Sequence, residues 1–300
     1  VVRVSDRLRY ENVHNRVAGA KDQNMAQLDR LASQKDIRKL SDDPIGATQV
    51  IRFRDTILDL QQYQKNIDYS KGLLERSEAS LGSIADNLIR AKELAVAMAN
   101  DTYDANSREA ASREVREIMD ELVQLGNTTF NGRFIFGGFR NQTPPLSLDG
   151  DYLGDDGAIF LQVSKGNFRQ VNLQARSIFE ASPDERAKGH FNMMHTMDVL
   201  LQGLTTGSKH DIHVAMKELD FQLEKATSAQ ATIGGVWKSL DDTKARLGSE
   251  EILNRSKLSE TQDADMYDAT SEFKRTEAVL QGTLMASTKL LQPSLLNFLQ

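Results

Sequence analysis

The sequence predicts a mainly α protein: a long antiparallel helical rod or coiled coil formed by both chain ends, with a small β-rich insertion in the middle. Three observations carry that prediction. The 300 residues hold five prolines, at 44, 144, 145, 183 and 293, so tracts 45–143 and 184–292 lack the strongest helix breaker. Both tracts repeat apolar residues at alternating steps of three and four, the mark of a helix with a narrow apolar seam. The middle differs in kind, with seven glycines between Asn131 and Gly166.

Composition narrows the function classes. Cysteine is absent, which removes disulfides and thiolate zinc sites. A net charge of -6 argues against nucleic acid or an anionic membrane as the main partner. No apolar run approaches the roughly 18 residues of a membrane helix. Val1 to Tyr10 carries three arginines and no apolar core, so no cleavable signal peptide is expected.

Taken in order, residues 1–39 are rich in Arg, Asn, Gln and Asp, with apolar positions at Val4, Leu8, Val13, Val17, Leu28 and Leu31. A helix with so narrow a stripe is marginal alone in water. Ser41 to Pro44 reads as a helix cap, with charge at the positive dipole end and Pro44 in the first turn. From Leu60 the three-four alternation meets Tyr63, Ile67, Ser70, Leu74, Ser77, Leu81, Ile84, Leu88, Ala91, Ala95 and Met98; ten of these twelve are apolar or aromatic. Asp101 to Asn106 reads as a connection to a second helix along Ala111, Val115, Ile118, Leu122 and Leu125, stopped at Gly126-Asn127.

Beyond that stop, 131–180 reads as a β-rich insertion with short strands over Ala158–Val163 and Gln170–Leu173, followed by a short helix near Phe191–Leu201. The C-terminal tract resumes the alternation at Leu219, Leu223, Ala226, Gln230, Ile233, Trp237, Leu240, Lys244 and Leu247. Gly248-Ser249 is expected to break it, with Ser249 capping a new helix whose later seam runs through Met266, Thr270, Phe273, Glu277, Leu280, Leu284, Ser287 and Leu291. Pro293 ends or kinks that helix. The rod core is therefore expected at Leu60, Ile67, Leu74, Leu81, Leu88, Leu219, Leu223, Ile233, Trp237, Leu240 and Leu247.

Sharper chemistry finds little support. The carboxylates of Asp42 and Asp43 have no nearby histidine or nucleophile and suit capping better than acid–base work. Asp149, Asp151, Asp155 and Asp156 among glycines lack the bidentate Glu of a calcium loop and suit hairpin turns. His190, His195, His210 and His213 lack a metal-binding motif, and Trp237 falls on the seam, where core packing outweighs ligand stacking. Gly132, Gly137 and Gly138 lack phosphate-loop spacing and supply backbone freedom where rod becomes insertion; Arg133 and Arg140 beside them are expected to be solvated or salt-bridged. No catalytic residue, cofactor site or metal site is expected.

Three short segments carry a family resemblance. Leu40-Ser41-Asp42-Asp43-Pro44 followed by Gly46-Ala47 resembles the turn that opens a long helix in the N-terminal region of flagellins. Asn127 to Gly138, NTTFNGRFIFGG, resembles the rod–insertion boundary of hook-associated members of the flagellin family. Lys289-Leu290-Leu291 and Ser294-Leu295-Leu296, with Phe298, resemble the leucine-rich terminus of flagellins. The likeness spans about 1–140 and 210–300.

The resemblance implies a non-enzymatic, extracellular flagellar subunit joining hook to filament and needed for motility. It implies export through the flagellar channel without a cleaved signal. It also implies termini that are disordered in the monomer and form a coiled coil on assembly. The segments are then 1–42 (N-terminal assembly), 43–130 (rod), 131–205 (outer domain plus short helix), 206–278 (rod) and 279–300 (C-terminal assembly). Val4, Leu8, Val13, Val17, Leu28 and Leu31 would meet Leu280, Leu284, Leu291, Leu295 and Phe298, and then neighbouring subunits. Implied partners are further copies in a ring or helical layer, the hook-side junction protein, the flagellin filament, and an export chaperone at the C-terminal segment; nucleic acid and membrane insertion are not. A filament-forming flagellin is the near alternative. A helical adaptor or sensor is a more distant one, since it would need a membrane span or output domain; an enzyme would need a concave pocket.

Overall fold

The structure, a computed structural model, describes residues 2–100, 104–147 and 150–291, with side chains for 7–100, 104–147 and 150–289. The chain divides into two compact units, residues 60–249 and a terminal unit of 1–59 with 250–300. Helices α1 (Val2–Ser33), α2 (Pro44–Ala99), α3 (Ala105–Gly126), α6 (Met193–Thr206), α7 (Lys209–Gln262) and α8 (Met266–Leu291) dominate. Between α3 and α6 lie β1 (Thr129–Phe130), β2 (Arg133–Phe134), β3 (Phe160–Ser164), β4 (Asn167–Gln170) and the short helices α4 (Arg176–Phe179) and α5 (Pro183–Ala187). The mainly α architecture, with long helices from both ends and a small β region between them, is the one the proline spacing and periodicity predict. Among the described residues no helix is long and apolar enough to cross a membrane.

In unit 60–249, α2 and α7 run antiparallel. Lys71 pairs with Asp241 at 2.7 Å, and Lys92 with Asp220 and Lys244 with Asp68 hold the same register along the two helices. Beneath these exposed or half-exposed pairs, Leu60, Ile67, Leu74, Leu81 and Leu88 of α2 are buried with Leu219, Ile233, Leu240 and Leu247 of α7. Such burial contributes roughly 1.5–3 kcal/mol per large side chain, whereas exposed ion pairs contribute about 0–1 kcal/mol each. The seam therefore carries the energy and the pairs set the alignment. Ser70 and Ser77, the polar residues in the α2 pattern, are buried too. Each hydroxyl donates back into its own helix, to the Asn66 carbonyl at 2.7 Å and the Leu73 carbonyl at 2.9 Å.

Two expected core positions differ. Leu223 is only half-buried, while its neighbour Gln222 is fully buried and donates to the Phe191 carbonyl at 2.8 Å. Packing of the Phe191 segment on α7 turns the local face by one residue. Trp237 is half-buried against the core, with the Lys71 ammonium 3.9 Å above its ring. A greater difference lies at Gly248-Ser249, where no break occurs: α7 continues to Gln262. A single internal glycine costs only about 1 kcal/mol relative to alanine, and the Ser249 hydroxyl bonds the Ala245 carbonyl at 3.2 Å instead of capping a new helix.

Helix α3 begins where Asp104 accepts the Ser107 amide at 2.8 Å and ends at Asn127, whose side chain braces Leu146 by paired 2.9 Å bonds. A Cβ on Gly126 would stand 2.1 Å from Leu146 Cδ1, so close approach requires that glycine. Asn131 and Gly132, both at positive φ, make the two-residue turn between β1 and β2, as a primed hairpin turn demands. Of the two expected strands, the first forms over 160–164, while the second forms over 167–170, earlier than 170–173. Phe136, fully buried, meets the Phe179 ring edge-on at 5.7 Å. Phe130 of β1 meets Tyr69 of α2 at 5.6 Å, so aromatic packing, more than extensive sheet, ties the region to the helices.

Candidate assembly interface

The terminal unit is where the predicted assembly residues lie. Its frame is the turn at 34–43. Asp42 accepts the Arg38 and Lys39 amides at 3.0 and 2.9 Å, and Asp43 accepts the Ile45 amide at 3.0 Å with Pro44 first in α2. The Asp42 carboxyl is held below the usual carboxylate range by the Lys39 and Arg38 amides. These acids therefore close a turn and cap a helix.

The same turn is tied to the α7–α8 junction by Gln262. Its carbonyl accepts the Asp36 amide at 2.8 Å, its side-chain oxygen accepts Arg54 at 3.0 Å, and its amide nitrogen donates to the Ile37 carbonyl at 3.2 Å. The Ala264 amide completes the tie by donating to the Gln34 carbonyl at 3.0 Å. Gln262 is only 6% exposed. Nothing in an apolar pattern marks a buried glutamine, so the periodicity passes over it.

From this turn α1 packs against α8. On α1, Val13, Val17, Ala20, Asn24, Gln27 and Leu31 are buried or half-buried; on α8, Ala269, Phe273, Thr276, Leu280, Thr283 and Ser287 are. Both sets hold the three-four step of a coiled-coil seam. Asn24 donates to the Thr276 hydroxyl at 3.3 Å and fixes the alignment. The filling is poor, however. Small and hydroxylated residues occupy many layers, and Gln27 Oε1 is buried with no partner among the described residues, a loss of roughly 1–3 kcal/mol.

The predicted assembly residues separate accordingly. Val13, Val17, Leu31 and Leu280 face this seam. Leu8, Leu28 and Leu284 are exposed, at 54%, 44% and 46%. In α8 the seam passes through Thr283, one residue before the expected Leu284, since a helix allows either a three- or a four-residue step. The Val4 and Leu291 side chains, and Leu295 and Phe298 altogether, lie outside the described residues. Beside the seam runs a groove of 1020 Å³ lined by Arg9, Asn12, Arg16, Gly19, Ala20 and Gln23 of α1 and Val279, Gly282 and Ala286 of α8.

The other candidate groups have structural settings. Asp155 accepts the Phe139 and Gly157 amides at 2.7 and 2.9 Å, and Asp156 pairs with Arg176 at 3.2 Å; Asp149 lies outside the described residues. His190 stacks on Phe221 and bonds Glu218 at 3.2 Å, and His195 meets the edge of Phe191. Among the described residues no group of three or more His, Asp or Glu is gathered as a metal ion would require.

Residues 4–141 match the bacterial flagellin N-terminal helical region. Flagellar hook-associated protein 3 of Escherichia coli K12 is 24% identical over 96% of this chain and 96% of its own length, and that of Salmonella typhimurium LT2 is 23% identical over 96% of each. The chain is similar to members of the flagellin family. Its fold is also that of a Vibrio parahaemolyticus chain described as a flagellar hook-associated protein, with a TM-score of 0.68 at 20% identity over 74% of this chain and 100% of the other. The flagellin of Bacillus subtilis 168 matches over a similar span, 23% identical over 94% of this chain and 94% of its own length.

Proposed function

We propose that the chain is a structural, non-enzymatic subunit of the bacterial flagellum that joins hook to filament. The observation that carries this is the full-length match to hook-associated protein 3, which takes in the terminal helices, the middle region and the return helices together. The weakly filled pairing of α1 with α8 supports the rest. Segments 1–42 and 279–300 assemble with other copies, leaving the middle region to face outward. Its partners are the hook-side junction protein below and the flagellin filament above. An export chaperone holds 279–300 before assembly, and the chain leaves through the flagellar channel without a cleaved signal.

Deletion tests the role. Cells lacking the chain keep their hooks, shed flagellin monomer into the medium and do not swim; restoring the gene restores attached filaments. Filaments that stay attached after deletion would sink the proposal. Hooks with no exported flagellin would instead identify a filament-forming flagellin.

A further inference from the structure

The β3–β4 hairpin carries a surface that the fold does not use. Its register sets Phe160 opposite Gln170 and Gln162 opposite Phe168. These four side chains therefore share one face, with the two rings on its diagonal, roughly 7–8 Å apart. Phe160 and Phe168 are 57% and 59% exposed. The hairpin is held without them: Val163 is fully buried, Leu161 packs on the core, and Asn66 of α2 donates to the Gln162 carbonyl at 2.8 Å. Asn172 closes its base, accepting the Ile159 amide and donating to the Gly157 carbonyl, both at 2.7 Å. At the tip, Lys165 and Gly166 make the turn, with Gly166 at positive φ and open space around it. Residues 157–179 contain no carboxylate, in a chain whose net charge is -6. Lys165 and Arg169 are exposed and have no ion pair among the described residues.

We infer that this face binds an acidic polysaccharide, a sugar polymer that bears carboxylates. Charge selects an anion: two unpaired cations stand in a stretch free of carboxylates, and at a Debye length of about 8 Å the acidic remainder of the chain is largely screened from them. The rings select a sugar. The negative faces of aromatic rings attract the polarised C–H groups of a pyranose, and Gln162 and Gln170 set amides beside them to meet hydroxyls. Those same amides disfavour a lipid surface, where burying a polar group without a partner is costly. A face of four side chains also falls far short of the roughly 800 Å² per partner of a stable protein contact. A repeating polymer needs less from each site, because many copies on one assembly bind it together. The inference concerns the middle region and goes beyond the junction role.

The test titrates purified full chain against immobilised polygalacturonate, with neutral dextran, polyglutamate and phosphatidylglycerol vesicles alongside. The chain binds polygalacturonate, ignores dextran, and binds polyglutamate and vesicles at least about tenfold more weakly. Phe160→Ala combined with Phe168→Ala weakens polygalacturonate binding about tenfold. Lys165→Gln combined with Arg169→Gln weakens it about fivefold and flattens its salt dependence. Tyr267→Ala, at an exposed aromatic residue of the terminal unit, changes nothing. Trp237 emission is the same in every variant, since none of the altered side chains is buried. Failure to bind polygalacturonate overturns the inference, as does undiminished binding by the double phenylalanine variant. Equal binding to polyglutamate overturns it in favour of a plain cation patch, and equal binding to vesicles in favour of a lipid contact. The readout needs no flagellum. Its failure leaves the junction role standing, and failure of the deletion test leaves this site standing.

Discussion

The α2–α7 seam of unit 60–249 and the α1–α8 seam of the terminal unit share a period and differ in filling. The first stacks Leu and Ile with serines that satisfy themselves within their own helix. The second interleaves Val13, Val17, Leu31, Phe273 and Leu280 with Ala, Asn, Gln, Thr and Ser, and leaves Leu28 and Leu284 exposed on its flanks. Periodicity decides where two helices meet, and the residues at those positions decide whether the meeting holds without help. One protein can therefore carry two helix pairs of the same period and unequal packing.

The comparison breaks most visibly in the body. Leu81 is 0% exposed, and Leu81→Ala costs about 2–5 kcal/mol, seen as a lower Tm by calorimetry. An equivalent truncation at Leu284 leaves the isolated chain unchanged within about 0.5 kcal/mol. At the terminal frame, Gln262→Ala removes the side-chain bonds to Arg54 and Ile37 and costs about 1–3 kcal/mol. Faster amide exchange at Asp36 and Ile37 reports it; unchanged exchange would show that the turn holds without the glutamine.

A smaller change makes the second seam resemble the first. Replacing Asn24 and Thr276 together by Leu and Val substitutes an apolar layer for a hydrogen-bonded one, a neutral to stabilising exchange of about 1 kcal/mol. Limited proteolysis of residues 7–33 slows in that variant. If it does not, the polar layer is not what keeps the pair weak.

The smallest effect is electrostatic. The Asp42 carboxyl is depressed below 3.8 by amides it accepts only in the folded turn, so its stabilisation is complete above that value and is lost as pH falls through the folded pKa. Arg38 and Lys39 amides become less protected under acid, and Asp42→Asn abolishes that dependence.

Much of this was legible in the residues. Ten apolar positions in a long three-four run leave α2 few alternatives, and Asp42, Asp43 and Pro44 announce its start. What escaped did so for physical reasons. Gly248 looks like a break because propensity is local, yet its cost is small against the packing of Leu240 and Leu247. Thr283 and Leu284 are equally allowed steps from Leu280, and only the partner helix chooses between them. Asn24, Thr276 and Gln262 act through hydrogen bonds, to which a search for apolar spacing is blind. The groove could be read only once two helices stood side by side, because Gly19 and Gly282 are far apart in sequence.

Trp237 is the only tryptophan, and it lies in unit 60–249 with the Lys71 ammonium over its ring. Its emission is therefore an optical probe of one unit alone, sensitive to loss of that cation and to hydration of the α7 face. The terminal unit contributes only tyrosine signal, from Tyr10 and Tyr267. A denaturant titration followed in tryptophan and far-ultraviolet channels would see the body melt in the first and both units in the second. The gap between the two curves then measures how much helix at the chain ends unravels before the body does.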